Sequence, residues 1–318
     1  MTVRDTSVVG MAFLRRRGES PSSARPDAVF PQLAAPDTAW IRQTAHRVLT
    51  DNGLEVALEA DGATFVAADG YRITLDNVVA TCTRLPREQW GAYIADHYRQ
   101  VARSVALPAV GDLSIDEIRT RIRTRLIPPE ALSMAGVDMS AYARPVADGL
   151  WAVLCVDFPH VVSYVSSEDA AALPDLDGLF RLAQANTDAE PIDRIEHLAD
   201  DIVAVSGDSV FVASTVLNPA ALVARTMRRD APNGVVFIVP DRSRVLLHVI
   251  DDVFAVEAME SLAAAAPRMY ADATYSISPL VYYWHRSSIT RISDLRPDGT
   301  SILVPSPDLV EVMRHLDD

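Results

Sequence analysis

Lysine is absent from this chain. All 29 of its lysine-or-arginine positions are arginine, from Arg4 to Arg314. A G-x-x-x-x-G-K-[ST] phosphate loop therefore cannot occur. Schiff-base chemistry needs a lysine amine, so pyridoxal-phosphate enzymes and lysine-type aldolases are excluded. The protein-kinase strand lysine and the S-x-x-K nucleophile pair are excluded as well. Glycine is scarce, at 13 in 318 residues, and no G-x-G-x-x-G dinucleotide fingerprint is present. Only two cysteines occur, Cys82 and Cys155, each in an apolar, strand-like run and without a partner at metal or redox spacing. Both read as small core residues, as free cysteines often are. A disulfide between them stays open, although so few cysteines suit a reducing cytoplasm. No apolar run reaches the ~18–20 residues of a membrane span. In the opening stretch MTVRDTSVVGMAFLRRRGES, arginines follow a short apolar part instead of preceding it, which is not the pattern of a signal peptide. A cytoplasmic protein is expected.

Basic charge is outweighed. The net charge of −14 repels nucleic-acid backbones and anionic membrane surfaces unless a local basic face exists. Abundant Ala, Val, Arg and Asp with little Asn, Gln and Lys is what a GC-rich genome produces; that bias is one account of the missing lysine, and selection against tagging at lysine is the other.

The chain is long enough for one large domain or two ordinary ones. Residues 1–37 are rich in Pro, Ser and Ala toward their end and read as a tail or linker, with Val29, Phe30 and Leu33 able to find a groove. A helix follows, capped by Asp37 or Thr38, with Trp40, Ile41, Ala45, Val48 and Leu49 as its apolar stripe. Three strand-like runs come next, LEVALEA, ATFVAA and YRITLDNVVATCT, with turn signals at Asp61-Gly62 and Asp69-Gly70. A helix begins near Pro86. Another opens at a Ser114/Glu117 capping box and carries Ile115, Ile118, Ile122 and Leu126 inward. Residues 38–127 thus form an N-terminal α+β module of helix, three-stranded meander and helix. Residues 128–145, with Pro128, Pro129, Gly136 and Pro145, form a junction.

Residues 146–318 repeat one pattern, in which two apolar strands joined by a tight turn lead into a helix. WAVLCVDF and VVSYVS flank Pro159-His160 and precede a helix opened by Ser167-Glu168-Asp169. IVAVS and VFVAST flank Gly207-Asp208 and precede one opened by Asn218-Pro219. GVVFIVP and RVLLHVI flank Asp241-Arg242 and precede a helix from about Asp252 to Met269. LVYYWHR and ITRIS precede the last helix, capped by Ser306 with Pro307 at its first position. Hairpin–helix units set helices against antiparallel or mixed sheets, an α+β fold.

Four stretches, ITLDNVVATCTRLPREQW, WAVLCVDFPHVVSYVSSEDAAAL, LFRLAQANT and YSISPLVYYWHRSSITRIS, resemble segments of the YtpQ-like family of uncharacterised bacterial proteins. They span much of residues 72–292. The resemblance implies a shared fold and brings no activity, cofactor or catalytic residue. By element order alone, the module at 38–103 is also similar to type III secretion chaperones.

No metal-binding spacing, such as H-E-x-x-H, and no G-x-S-x-G elbow occurs. His46, His97, His160, His197, His248, His285 and His315 are scattered. His248 and His285 lie in expected strands that can converge on one sheet face, which motivates an alternative, a hydrolase-like enzyme with a dispersed His/acid site. The pairs Asp200-Asp201 and Asp251-Asp252 sit where turns and caps use carboxylates. Two features point to binding. Arg119, Arg121, Arg123 and Arg125 in IRTRIRTRL pair by face on a helix, 119 with 123 and 121 with 125, and guanidinium forks hold carboxylate or phosphate. In Tyr282-Tyr283-Trp284-His285, strand alternation sets Tyr283 and His285 on one face, a candidate groove floor for a protein partner. The expectation is a non-catalytic adaptor or chaperone-like protein that binds another protein or its own copy. No catalytic residue, metal ligand or cofactor is assigned.

Overall fold

The computed structural model describes residues 25–68, 71–105, 110–134, 137–159 and 161–317, and every structural statement below concerns these. Asp69-Gly70, Gly136 and His160 lie outside them.

The first helix starts ahead of the expected Asp37 or Thr38 cap: its N-cap is Ala34, with no side-chain cap bond and a proline in the first turn, so both residues lie inside it. Helix α1 (Ala35–Asp51) buries the stripe Thr38, Ile41, Ala45, Val48 and Leu49. Strands β1 (Val56–Leu58), β2 (Thr64–Ala67) and β3 (Arg72–Thr74) pair as an antiparallel meander. The third run does not continue as a strand. Asp76–Cys82 is helix α2, because Val78, Val79 and Cys82 fall on one helical face and bury there. Helix α3 (Trp90–Val105) closes the unit over a core of Phe65, Leu75, Ile94 and Tyr98. The expected tail is part of this unit from Arg25 onward. Phe30 is buried in its core, and Asp27 accepts two hydrogen bonds from the Arg42 guanidinium.

The next unit begins at helix α4 (Ile115–Arg121), which opens on the expected Ser114/Glu117 capping box. The chain then changes geometry. Ile122–Ile127 is strand β4, not more helix, with Ile122, Thr124 and Leu126 buried in alternation. A small hairpin follows, β5 (Ser133–Met134) with β6 (Val137–Asp138), and then β7 (Arg144–Ala147). The central strand β8 (Leu150–Phe158) pairs antiparallel with β4, with β7 and with β9 (Val161–Tyr164). The β4 edge is covered by hydroxyls. Leu126 N–H donates to Ser214 Oγ at 2.9 Å, and Thr124 N–H to Thr187 Oγ1 at 3.0 Å. A sheet edge satisfied this way offers no template for a further strand. Helices α5 (Ser167–Ala172) and α6 (Leu176–Asp188) pack on this sheet. The module boundary therefore moves. The core changes between Ala102 and Val110, and the described residues between 128 and 145 belong to the second unit, where Met139 and Tyr142 are buried. Residues 38–127 do not form one module, since β4 pairs with β8 across the expected junction.

The last unit is a sheet of order β10-β11-β13-β12-β14-β15. Its strands are β10 (Arg194–His197), β11 (Val203–Ser206), β12 (Val235–Asp241), β13 (Arg244–Val249), β14 (Val281–His285) and β15 (Ser288–Arg291), all antiparallel. The expected hairpin of IVAVS with VFVAST does not form. β11 pairs with β10 and β13, while Val212–Leu217 winds as a 3-10 helix under the sheet. An apolar run buried on all sides satisfies either geometry, so periodicity alone cannot choose. Helix α7 (Pro219–Met227), capped by Asn218, follows. One sheet face packs on the 3-10 segment, α7 and Leu126 and Leu150 of the neighbouring sheet. The other face packs on α8 (Ala255–Asp272) and, past the hairpin of β16 (Ser293–Leu295) and β17 (Ser301–Leu303), on α9 (Pro307–Asp317).

Candidate functional site

The arginine run owes its arrangement to a strand. In β4 alternate side chains point to opposite faces, so Arg123 and Arg125 lie opposite to Ile122, Thr124 and Leu126. The helical pairs 119/123 and 121/125 do not exist. Arg119 stays on α4, exposed, 3.6 Å from Asp116. Arg121, at the end of α4, lies 5.2 Å over the Phe158 ring. Arg123 is consumed internally. Its Nε donates to Glu190 at 2.7 Å, its Nη1 donates to the carbonyls of Thr120 and Ile122, and Ser209 Oγ donates to the second Glu190 oxygen at 2.7 Å.

Arg125 is different. Its guanidinium lies 5.5 Å from the Tyr164 ring centre and 5.8 Å from that of Phe211. It faces a cleft of about 640 Å³ bounded by α3, β9, the 3-10 segment and the β12–β13 turn. Arg242, on that turn, lines the same cleft, with its guanidinium 3.5 Å from the centre of the Tyr275 ring. Backbone bonds hold the turn in place, Arg242 N–H to Tyr275 O at 3.3 Å and Ala213 N–H to Arg242 O at 3.1 Å. The adjacent Asp241 carboxylate is occupied by Ser243 and Arg244. Among the described residues, neither Arg125 nor Arg242 has a carboxylate within 4.0 Å.

The electrostatics follow from burial and from these neighbours. Burial pushes the Arg242 guanidinium below its ordinary range, and the Arg125 cation pushes the same way. Arginine stays charged regardless, given its high intrinsic value. Asp157, on β8 in the same cleft, is raised by burial and by Glu190, against the lowering effect of Arg123 and Arg121. His97 of α3 is lowered by burial. The site thus presents two fixed cations over aromatic rings, beside a carboxyl that retains its proton more readily than usual. Among the described residues, no histidine ring nitrogen bonds a serine, threonine or cysteine, so no nucleophile–base pair is assembled. Nor does any group of three or more His, Cys, Asp or Glu stand where it can hold a metal ion.

Tyr283 and His285 share a face of β14, as alternation requires, but that face is interior. They are 1% and 7% exposed. Their rings stack at 5.8 Å, the Tyr283 hydroxyl donates to Asn233 O at 2.8 Å, and His285 Nδ1 lies 2.7 Å from Asp308 of α9. They are core residues under α8 and α9, not a groove floor. Pairing of Val236 with both His248 and Tyr283 does set His248 and His285 on one face. His248 is also buried, its Nδ1 3.3 Å from Asp201 O and its Nε2 without a partner.

Arg242, Tyr164 and Tyr275 escaped the sequence reading, because only tertiary contacts bring them to Arg125. Asp157 carried a signal, a lone charge in the apolar strand WAVLCVDF. Among the described residues, no helix is long and apolar enough to cross a membrane. No protein-family model, curated protein or solved structure matches this chain, so its functional reading rests on the geometry of the cleft.

Proposed function

We propose that this chain is a non-catalytic binding protein that docks an anionic group of a protein partner in the cleft between Arg125 and Arg242. One observation carries the reading. The chain holds 43 acidic residues against 29 arginines, yet among the described residues these two half-buried guanidiniums have no carboxylate within 4.0 Å. Cations kept apart from an excess of internal acid are held for an external one, because leaving a half-buried charge unpaired costs stability. Cation–π contacts with Tyr275 at 3.5 Å and with Tyr164 and Phe211 at 5.5 and 5.8 Å restrain both side chains, which lowers the ordering cost on binding. The aromatic walls match the composition of recognition surfaces. The burial of His248 and His285 speaks for docking over the hydrolase alternative.

The test is comparative capture from the native host with the wild-type chain and the Arg125→Ala/Arg242→Ala variant, after circular dichroism shows equal folding. Proteins retained by the wild type, lost by the variant and displaced by added phosphate or citrate support the reading. Identical retention by both chains sinks it.

A further inference from the structure

We propose that the group taken by this cleft is a phosphoryl group, delivered as a phosphomonoester. The inference rests on the reading of the cleft as an anion-docking site and narrows it to one ligand chemistry.

Charge supplies the first argument. Arg125 and Arg242 line one cleft, and Arg125 is near enough to act on the Arg242 guanidinium electrostatically. A single carboxylate leaves one of the two cations uncompensated in a half-buried site. A phosphomonoester carries about −1.5 to −2 at pH 7 and matches both. Shape supplies the second. The Arg242 guanidinium lies 3.5 Å from the Tyr275 ring centre, and the Arg125 guanidinium lies 5.5 and 5.8 Å from those of Tyr164 and Phe211, so both sit against aromatic rings. A guanidinium's N–H donors lie in its own plane, and its edge is what binds phosphate oxygens bidentately. Two such edges on different elements, β4 and the β12–β13 turn, suit a tetrahedral oxyanion that offers oxygens in several directions.

The neighbouring acids do not defeat this. Glu190 is neutralised by Arg123 and bonded by Ser209. Asp157 is near enough to Arg123 and Arg121 for both cations to offset its charge, while burial raises its pKa above the usual carboxylate range. The cleft, at about 640 Å³, falls in the usual range for small-ligand sites and has room for the carrier of the phosphoryl group. The chain's net charge of −14 works against a long polyanion, which favours a compact ligand over nucleic acid.

The experiment uses the full chain and isothermal titration at fixed ionic strength. Inorganic phosphate is compared with acetate. Two carriers are then compared with their unphosphorylated forms, an O-phosphoserine peptide with its serine parent and a hexose 6-phosphate with the hexose. Phosphate is expected to bind at least tenfold more tightly than acetate. Each phosphorylated carrier that binds is expected to exceed its parent by the same factor, and the tighter one identifies the carrier class. Arg125→Gln and Arg242→Gln are each expected to weaken phosphate at least tenfold, and Arg242→Lys, which keeps charge without the fork, to weaken it by less. Arg119→Ala, which removes one positive charge from exposed α4, is expected to leave binding unchanged. Thermal midpoints without ligand identify any variant that fails to fold, and the remaining variants then decide. Phosphate binding no tighter than acetate, or an equal loss in Arg119→Ala, overturns the proposal. If phosphate fails while the Arg125→Ala/Arg242→Ala variant still loses its captured partner, the phosphoryl assignment is wrong and the docking reading survives.

Discussion

Replacing Arg123 by alanine tests the strand geometry of the arginine run directly. On a helix, Arg119 and Arg123 occupy one solvated face, and removing either has a similar, small effect. On β4 they are not equivalent. Arg123 is 17% exposed and pairs with Glu190, itself 11% exposed, at 2.7 Å, and it also bonds two backbone carbonyls. Arg123→Ala leaves the Glu190 carboxylate buried with only the Ser209 hydroxyl, and a buried charge stripped of its partner costs about 3 kcal/mol. Arg119→Ala removes an exposed pair 3.6 Å long, worth about 0.5 kcal/mol or less. Urea denaturation followed by circular dichroism is expected to separate the two variants clearly. Glu190→Gln placed on Arg123→Ala neutralises the orphaned carboxylate and is expected to recover at least half of the loss. If Arg123→Ala is no more harmful than Arg119→Ala, or if Glu190→Gln brings no relief, the paired, buried strand arginine is refuted.

Two further outcomes follow from local geometry. Gly234 enters β12 at φ +95°, where a Cβ would stand 2.4 Å from Trp284 O, so Gly234→Ala is expected to lower the thermal midpoint by an amount corresponding to at least about 2 kcal/mol. Arg42 holds the Asp27 carboxyl down at about 2, helped by the Phe30 and Val29 N–H groups. The folded value lies below the unfolded one, so the unfolded chain binds more protons in this window. Stability is therefore present above about pH 4 and is lost as pH falls toward 2. Asp27→Asn is expected to be less stable than the wild type near pH 7 and to converge with it near pH 2 in acid-titrated denaturation curves, whereas a constant gap contradicts the pairing.

The elements legible in the sequence are those whose ends are set by neighbours in the chain. The Ser114/Glu117 box, Asn218-Pro219 and Ser306-Pro307 open helices where expected, because a cap satisfies donors within its own first turn. The hairpins β8–β9, β12–β13 and β14–β15 form from short turns between apolar runs. Three segments misled because their residues fit two geometries. IRTRIRTRL satisfies both the helical spacing and the alternation of Ile122, Thr124 and Leu126. VVATC and VFVAST are apolar enough to bury in either geometry.

Composition and local order therefore determined by themselves the α+β class, most hairpins and caps, and the exclusion of lysine-dependent chemistry. Tertiary structure alone decided the rest. β4 became a strand because β8 offered a paired edge and the hydroxyls of Thr187 and Ser214 closed the other. Tyr283 and His285 became core because α8 and α9 cover that face of the sheet. Arg125 met Arg242 only when two sheets packed through Leu126 and Leu150, since a site built from separate elements has no spacing along the chain to announce it.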